Sequence, residues 1–221
     1  MSLLQDPCEA IAEAIVAADA RRKPFPHWLL NDVLPDDVAD AIAALPVPPP
    51  PAGDTQGKRE THNSQRVFLS PAFQAEHPVA RAVAAAFQEP EMIGVLEART
   101  GAKLSGHYLR IEYCRDGADF WLEPHTDIGA KAFTMLVYLS KTPDAEDWGT
   151  DIYDADMNHV GRAPGGYNKG LIFIPAKDTW HGVEKRDFSD VRKSLIVNYV
   201  VPDWRSRHEL AFPDETVQAQ D

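Results

Sequence analysis

The sequence predicts an α+β fold: a jelly roll of two facing sheets with N-terminal helices packed on one of them. Two observations carry that expectation. The first hundred residues hold alanine-rich and amphipathic runs broken by prolines, whereas beyond Thr100 short runs rich in β-branched and aromatic residues take over. Gly, Pro, Asp and Asn punctuate those later runs at the intervals of an all-β sandwich or barrel. Helices first and strands afterwards place the helices on one outer face of a strand sandwich. The open mouth of a jelly roll is a natural ligand pocket. The 221 residues read as one domain, with a mainly helical support over 1–100, a core over 101–203 and a C-terminal tail over 204–221.

Along the chain, EAIAEAIVAADA (9–20) reads as a helix with Ile11 and Ile15 on one face. PFPHWLLNDVLP (24–35) reads as a short extended stretch between prolines, and DDVADAIAAL (36–45) as a helix with acidic residues in its first turn, stopped by Pro46. PVPPPPAGD (46–54) fits neither helix nor central strand and is a stiff connector. Residues 78–98 give one or two helices with a break forced at Pro90. The strand candidates are 103–114, 132–140, 149–156, 170–176 and 192–200.

Composition narrows the function. With 22 basic against 34 acidic residues the formal charge is −12, and an acidic surface repels phosphate backbones, so nucleic acid is not an expected partner. No apolar run approaches the ~20 residues of a membrane-spanning helix, and Asp6 and Glu9 interrupt any signal-like pattern at the N-terminus. The expectation is a cytoplasmic protein without a membrane partner. Two cysteines, Cys8 and Cys114, make neither a disulfide framework nor a cysteine-rich zinc site.

One constellation carries chemistry. His125-Thr126-Asp127 is H-x-D, a triplet that is uninformative alone. Its company gives it meaning: His181 follows 56 residues later, after the strand-like run GLIFIPAKDTWH, and Arg192 and Ser194 open the last strand candidate. Two His and one carboxylate form the facial triad of non-haem iron(II), which leaves coordination positions open on one side. A period of two puts both ends of H-x-D on one face of an extended segment. By the same period Arg192, Ser194, Ile196 and Asn198 face one way, so a guanidinium, a hydroxyl and an amide point together into the barrel, and Leu195, Val197 and Tyr199 point outward against the helices. An Arg with a neighbouring hydroxyl suits a small carboxylate, through bidentate charge-assisted hydrogen bonds. Asn198 is expected deep in the pocket, near metal, cosubstrate or substrate.

On these residues the sequence resembles the iron(II)- and 2-oxoglutarate-dependent oxygenases, in the prolyl-4-hydroxylase-like branch. The resemblance covers roughly 103–201, through EYCRDGADFWLEPHTD, FTMLVYLS, WGTDIYD, GLIFIPAKDTWHGV and VRKSLIVNYV, with a looser likeness over 24–42. It implies a double-stranded β-helix, with iron on His125, Asp127 and His181 and the distal carboxylate of 2-oxoglutarate on Arg192 and Ser194. Tyr113 and Tyr138 match tyrosines that complete the cosubstrate site in that family. The implied reaction consumes O2 and 2-oxoglutarate, releases succinate and CO2, and hydroxylates a substrate. The substrate is unidentified: a free small molecule, a carrier-bound metabolite and a protein side chain all remain open, as does the oligomeric state. The carboxylate of Asp127 speaks against halogenation, whose practitioners lack it. Many members have Gly-Gly where this chain has Trp148-Gly149, a departure confined to one turn.

Two other readings are available. A cupin-like metal-binding jelly roll, an isomerase or sensor, needs the triad but not Arg192 and Ser194. An interaction module would work through PVPPPP. The polar segments 61–68 and 153–170 are the candidate substrate loops.

Overall fold

The computed structural model describes residues 5–49, 57–58, 66–118 and 120–220, with five α-helices and eleven strands among them. In chain order these are α1 (Pro7–Ala17), β1 (Asp19–Arg21), β2 (His27–Leu30), α2 (Asp36–Ala43), β3 (Val67–Phe68), α3 (Pro71–Glu76), α4 (Pro78–Gln88), α5 (Pro90–Thr100), β4 (Tyr108–Asp116), β5 (Leu122–His125), β6 (Lys131–Tyr138), β7 (Asp151–Tyr153), β8 (His159–Arg162), β9 (Gly170–Phe173), β10 (His181–Val183) and β11 (Arg192–Val200). One sheet runs β1-β2-β9-β6-β11-β4-β3 and the other β5-β10-β7-β8, every pairing antiparallel. This is the jelly roll expected, with the helices on the outer face of the larger sheet.

Local chemistry sets the helix ends. Asp6 caps α1 by accepting from the Cys8 N–H, with Pro7 at the first helical position, and the Ser70 hydroxyl caps α3 in the same way. Pro90 separates α4 from α5, and α5 stops at Gly101, which takes the left-handed conformation (φ 76°) that suits glycine. Three expectations need correcting. The first helix ends at Ala17, because Asp19–Arg21 pairs with β2 instead. A short helix, α3, begins at Pro71 where none was expected. The N-terminal hundred residues also contribute strands to both edges of the larger sheet, the unexpected β1 and β3 together with β2 from the extended stretch 24–35, since a sheet edge is completed by whatever chain lies alongside. Positions 50–54 and 61–65 of the connector and the polar segment lie outside the described residues.

Packing follows strand period. Leu109, Ile111 and Tyr113 of β4, Phe133, Met135 and Val137 of β6, and Leu195, Val197 and Tyr199 of β11 are buried with Ile11, Ile15, Val38, Ile42, Val83, Phe87, Ile93 and Leu96 of the helices. Between the sheets lie Leu136, Tyr138, Leu171 and Phe173, clustered with Ile152 of the smaller sheet, Ala163 just after β8, and Phe25. The segment after β11 returns along β4: Ala211 N–H donates to Leu109 O (2.9 Å) and Val217 N–H to His107 O (2.8 Å), and both residues are buried.

The turn at Trp148-Gly149 is a close crossing of two chain segments. The Trp148 ring packs edge-on against Phe188, and the Ala163 N–H donates to Thr150 O at 2.9 Å. A Cβ on Gly149 would overlap the Ala163 carbonyl oxygen. Gly149→Ala is therefore expected to lower stability in urea unfolding by on the order of 3 kcal/mol. Gly161→Ala, with open space around the new methyl, should stay within about 0.5 kcal/mol of wild type.

Candidate active site

β5 and β10 pair with His125 opposite His181, and Asp127 follows two residues beyond β5. The two imidazole rings lie 4.3 Å apart, and one ligand atom from each of His125, Asp127 and His181 falls within 4.8 Å of the others. Each imidazole uses Nδ1 on the carbonyl two residues earlier, His125 on Glu123 O and His181 on Thr179 O, both at 2.9 Å. A carbonyl only accepts, so Nδ1 carries the proton and Nε2 keeps its lone pair for a metal. Thr179 is itself held, its hydroxyl accepting from Ala176 N–H and donating to Ala176 O, both at 3.0 Å.

The Asp127 carboxylate is buried and oriented on both oxygens. Lys131 Nζ donates to Oδ1 at 2.5 Å and Thr134 Oγ1 to Oδ2 at 2.6 Å. Burial would raise this carboxyl, but Lys131, His181 and the two hydrogen bonds outweigh it and hold the group well below the usual carboxylate range. Burial pushes the other way at His181, where desolvation and then His125 lower the imidazole to about 4, against the pull of Asp127. Both shifts leave the donors unprotonated at neutral pH, the state in which they bind a cation.

One further metal-type cluster occurs among the described residues, Asp151 with His159 and Glu184. Asp151 is spent on guanidinium groups from Arg162 (2.6 Å) and Arg186 and on the Glu184 N–H (2.7 Å). Two adjacent cations make it an ion-pair clamp joining β7, β8 and the chain after β10.

The ladder between β11 and β4 runs without a shift from Arg192↔Asp116 to Val200↔Tyr108, so Arg192, Ser194, Ile196 and Asn198 share the face that looks between the sheets. Arg192 is buried, with Nε donating to Trp148 O and Nη1 to Asp116 Oδ2, both at 2.6 Å. Ser194 Oγ is buried with no hydrogen-bond partner among the described residues. Tyr138, the last residue of β6, pairs with Ser194 of β11, its ring centroid 5.8 Å from the Arg192 guanidinium carbon. Its hydroxyl is engaged by Thr150, donating to Oγ1 (2.8 Å) and accepting from N (3.1 Å).

Two expected site residues are placed differently. Tyr113 belongs to the opposite parity of β4, opposite Leu195, and sits among the helices, where burial pushes its phenol up to about 12 and its hydroxyl reaches Ala43 O at 3.5 Å. It does not face the pocket. Asn198 faces inward as expected, yet its amide is fully engaged: Oδ1 accepts from Arg110 Nη1 (3.1 Å), and Nδ2 donates to Phe133 O (3.2 Å) and Thr134 Oγ1 (2.9 Å). It therefore holds Thr134, which holds Asp127, and is a positioning residue whose Nδ2 donors are both used.

Outside the triad opens a cavity of about 600 Å³, bordered by His125, Asp127, Lys131, Arg66, Arg110 and Glu209 among others. Buried Arg110 donates to Glu209 (2.6 Å) and Asn198 and lies over the Phe68 ring at 4.6 Å, while Arg66 grips Glu112 with Nε (3.0 Å) and Nη2 (2.6 Å). The roles of Thr134, Lys131, Arg110 and Asp116 were not foreseen from the sequence. Strand parity held a signal for three of them: Thr134 lies four residues before Tyr138 on one strand, and Arg110 and Asp116 face Asn198 and Arg192 across the β4–β11 ladder.

No protein-family model matches the chain, and no curated protein matches it by sequence. Solved structures do match in fold. A prolyl-4-hydroxylase of Pseudomonas putida is similar over 87% of this chain and 97% of its own, with TM-score 0.56 and 12% identity. A prolyl hydroxylase of Trichoplax adhaerens, in complex with a hypoxia inducible factor peptide fragment, covers 87% of this chain and 88% of its own (TM-score 0.56, 11% identity). The viral collagen prolyl hydroxylase of Paramecium bursaria Chlorella virus-1, in its 2-oxoglutarate complex, covers 79% and 96% (TM-score 0.53, 12% identity). The chain thus has the fold seen in these prolyl hydroxylases.

Two outcomes follow from the donor environment. Thr134→Val removes the hydroxyl that orients Asp127 without changing side-chain size, and is expected to weaken Fe(II) or Mn(II) binding about ten- to a hundredfold in titration calorimetry. His181, lowered from 6.5 to about 4, refuses a proton that the unfolded chain takes up, so metal-free protein should lose stability as pH falls from about 6.5 towards 4. His181→Gln should remove up to about 1.4 kcal/mol per pH unit of that slope in denaturant titrations.

Proposed function

We propose that the protein is an iron(II)- and 2-oxoglutarate-dependent dioxygenase that hydroxylates its substrate with release of succinate and CO2. The observation that carries this reading is the pairing of two features in one inter-sheet space: three convergent metal donors, and a buried Arg192 beside the orphaned Ser194 hydroxyl. A buried hydroxyl without a partner costs about 1–3 kcal/mol unless a ligand supplies one. The distal carboxylate of a dicarboxylate is such a ligand, and a metal-only cupin-like reading leaves the Ser194 hydroxyl unexplained.

His125, Asp127 and His181 would hold the iron, which when bound supplies the dioxygen chemistry that no side chain provides. Arg192 has three guanidinium N–H groups beyond those given to Trp148 and Asp116, and with Ser194 it would grip the distal carboxylate. The Tyr138 ring forms the wall beside that grip. Leu136, Leu171, Phe173 and Ile152 keep the space between the sheets dry, which strengthens each polar contact made there. Lys131 and Thr134 keep Asp127 ionised and aimed. The substrate enters through the outer cavity, whose volume takes a small molecule or a single side chain of a larger one. The peptide complex of one structural neighbour supports a peptide side chain as one such substrate.

Iron-loaded protein held anaerobically should develop a visible charge-transfer band on addition of 2-oxoglutarate, and in air should release succinate. Arg192→Ala should keep the metal and lose roughly ten- to a hundredfold in 2-oxoglutarate affinity. His181→Ala should lose the metal, because a facial triad has no spare ligand. A metal-loaded wild type that yields neither band nor succinate would leave the cupin-like reading in its place.

A further inference from the structure

The inter-sheet region where the oxygenase reading puts the cosubstrate carboxylate already contains a carboxylate. Asp116 lies directly opposite Arg192 in the β4–β11 ladder, and its Oδ2 accepts from Arg192 Nη1 at 2.6 Å, with both side chains almost wholly buried, at 3% and 2% exposure. A bare guanidinium in this position would present a full positive charge to an incoming anion. Here that charge is balanced before any ligand arrives.

We propose that Asp116 sets the affinity of the pocket for its dicarboxylate cosubstrate, holding it weak enough that the dicarboxylate product leaves. The inference rests on the oxygenase reading above and concerns a residue that reading does not use. Asp116 does two opposing things. It fixes the orientation of Arg192 together with the Trp148 carbonyl, which favours binding. It also stands across the same guanidinium from the ligand carboxylate, which opposes binding.

The magnitudes decide between them. Two carboxylates sharing one guanidinium lie roughly 5–6 Å apart, and at an effective dielectric near 20 their repulsion corresponds to about a hundredfold in affinity. Orientation is worth less here, because the Trp148 carbonyl and burial already restrain the side chain and an amide at 116 would still accept the hydrogen bond. The repulsion acts equally on 2-oxoglutarate and on succinate, since both present the same distal group. The cosubstrate has further oxygens to offer the metal centre and tolerates the penalty, whereas succinate has less to hold it. Ser194, uncharged and unpaired, then contributes a hydrogen bond without adding charge.

Asp116→Asn tests this, because it removes the charge and keeps one oxygen to accept from Arg192, the other becoming an amide NH2. Binding is read by calorimetry on protein loaded with Zn(II) in place of Fe(II), with 2-oxoglutarate and succinate as probes. The expected result is at least tenfold tighter binding of both ligands to the variant. A gain of affinity does not arise from structural damage. Unchanged or weaker binding to a folded variant overturns the inference while leaving the oxygenase reading intact. Failure of wild type itself to bind 2-oxoglutarate overturns both. If the variant does not fold, the same charge effect is read in the wild type with 2-oxoglutaramate, whose distal amide is neutral. Binding within about tenfold of 2-oxoglutarate supports the proposal, and any weaker binding overturns it.

Discussion

Everything at this site depends on the two-residue period of one strand. β11 runs nine residues without a shift against β4, so each side chain is committed to one of two environments. Leu195, Val197 and Tyr199 are buried under the helices, and their neighbours Arg192, Ser194 and Asn198 are thereby driven between the sheets. A slip of one residue would put a guanidinium against α1, α4 and α5 and three large apolar groups in the pocket. The cost of that exchange is what fixes the polar constellation. The helices act on the chemistry at a distance, by making one register far better than its neighbours.

The inward face also shows how a small jelly roll keeps buried charge. Asp127, Glu112, Arg110, Asp116 and Arg192 are all nearly excluded from water, and each has a partner of opposite sign or a hydrogen bond aimed at it. A chain of hydrogen bonds runs from Glu209 through Arg110, Asn198 and Thr134 to Asp127 of the candidate triad. This relay ties the segment after β11 to the orientation of a metal donor. The tail at 204–220 is in this sense part of the site's support, because Glu209 and Trp204 flank Arg110 from that segment.

Much of the site was legible in the chain because its signals are local. H-x-D needs only a two-residue spacing, and the run Arg192 to Asn198 needs only that β11 carries no bulge. Pro90 separated two helices wherever the rest of the chain went. Other features were illegible for equally physical reasons. Tyr113 matched a family pattern in sequence, yet its position in β4 is odd relative to Asp116, which pairs with Arg192, so it faces the helices. Asn198 was correctly aimed, but no local rule reveals that Arg110, Thr134 and Phe133 consume its amide. β1 and β3 lie in a helical half of the chain and are strands only because a neighbouring strand is there to receive them, whereas β2 falls in the stretch 24–35 that reads as extended.

The sequence by itself determined the change from helices to strands near residue 100, the break at Pro90, the parity of β11 and the candidate metal-binding residues, since each follows from spacing along one segment. Tertiary structure alone decided which strand lies against which, and with it the pairing of Arg192 with Asp116, the orphaned hydroxyl of Ser194 and the partners that aim Asp127. The physical reason is range. Periodicity and capping act over a few residues, whereas Asp116 and Arg192 are 76 residues apart in the chain and meet only when the sheet forms.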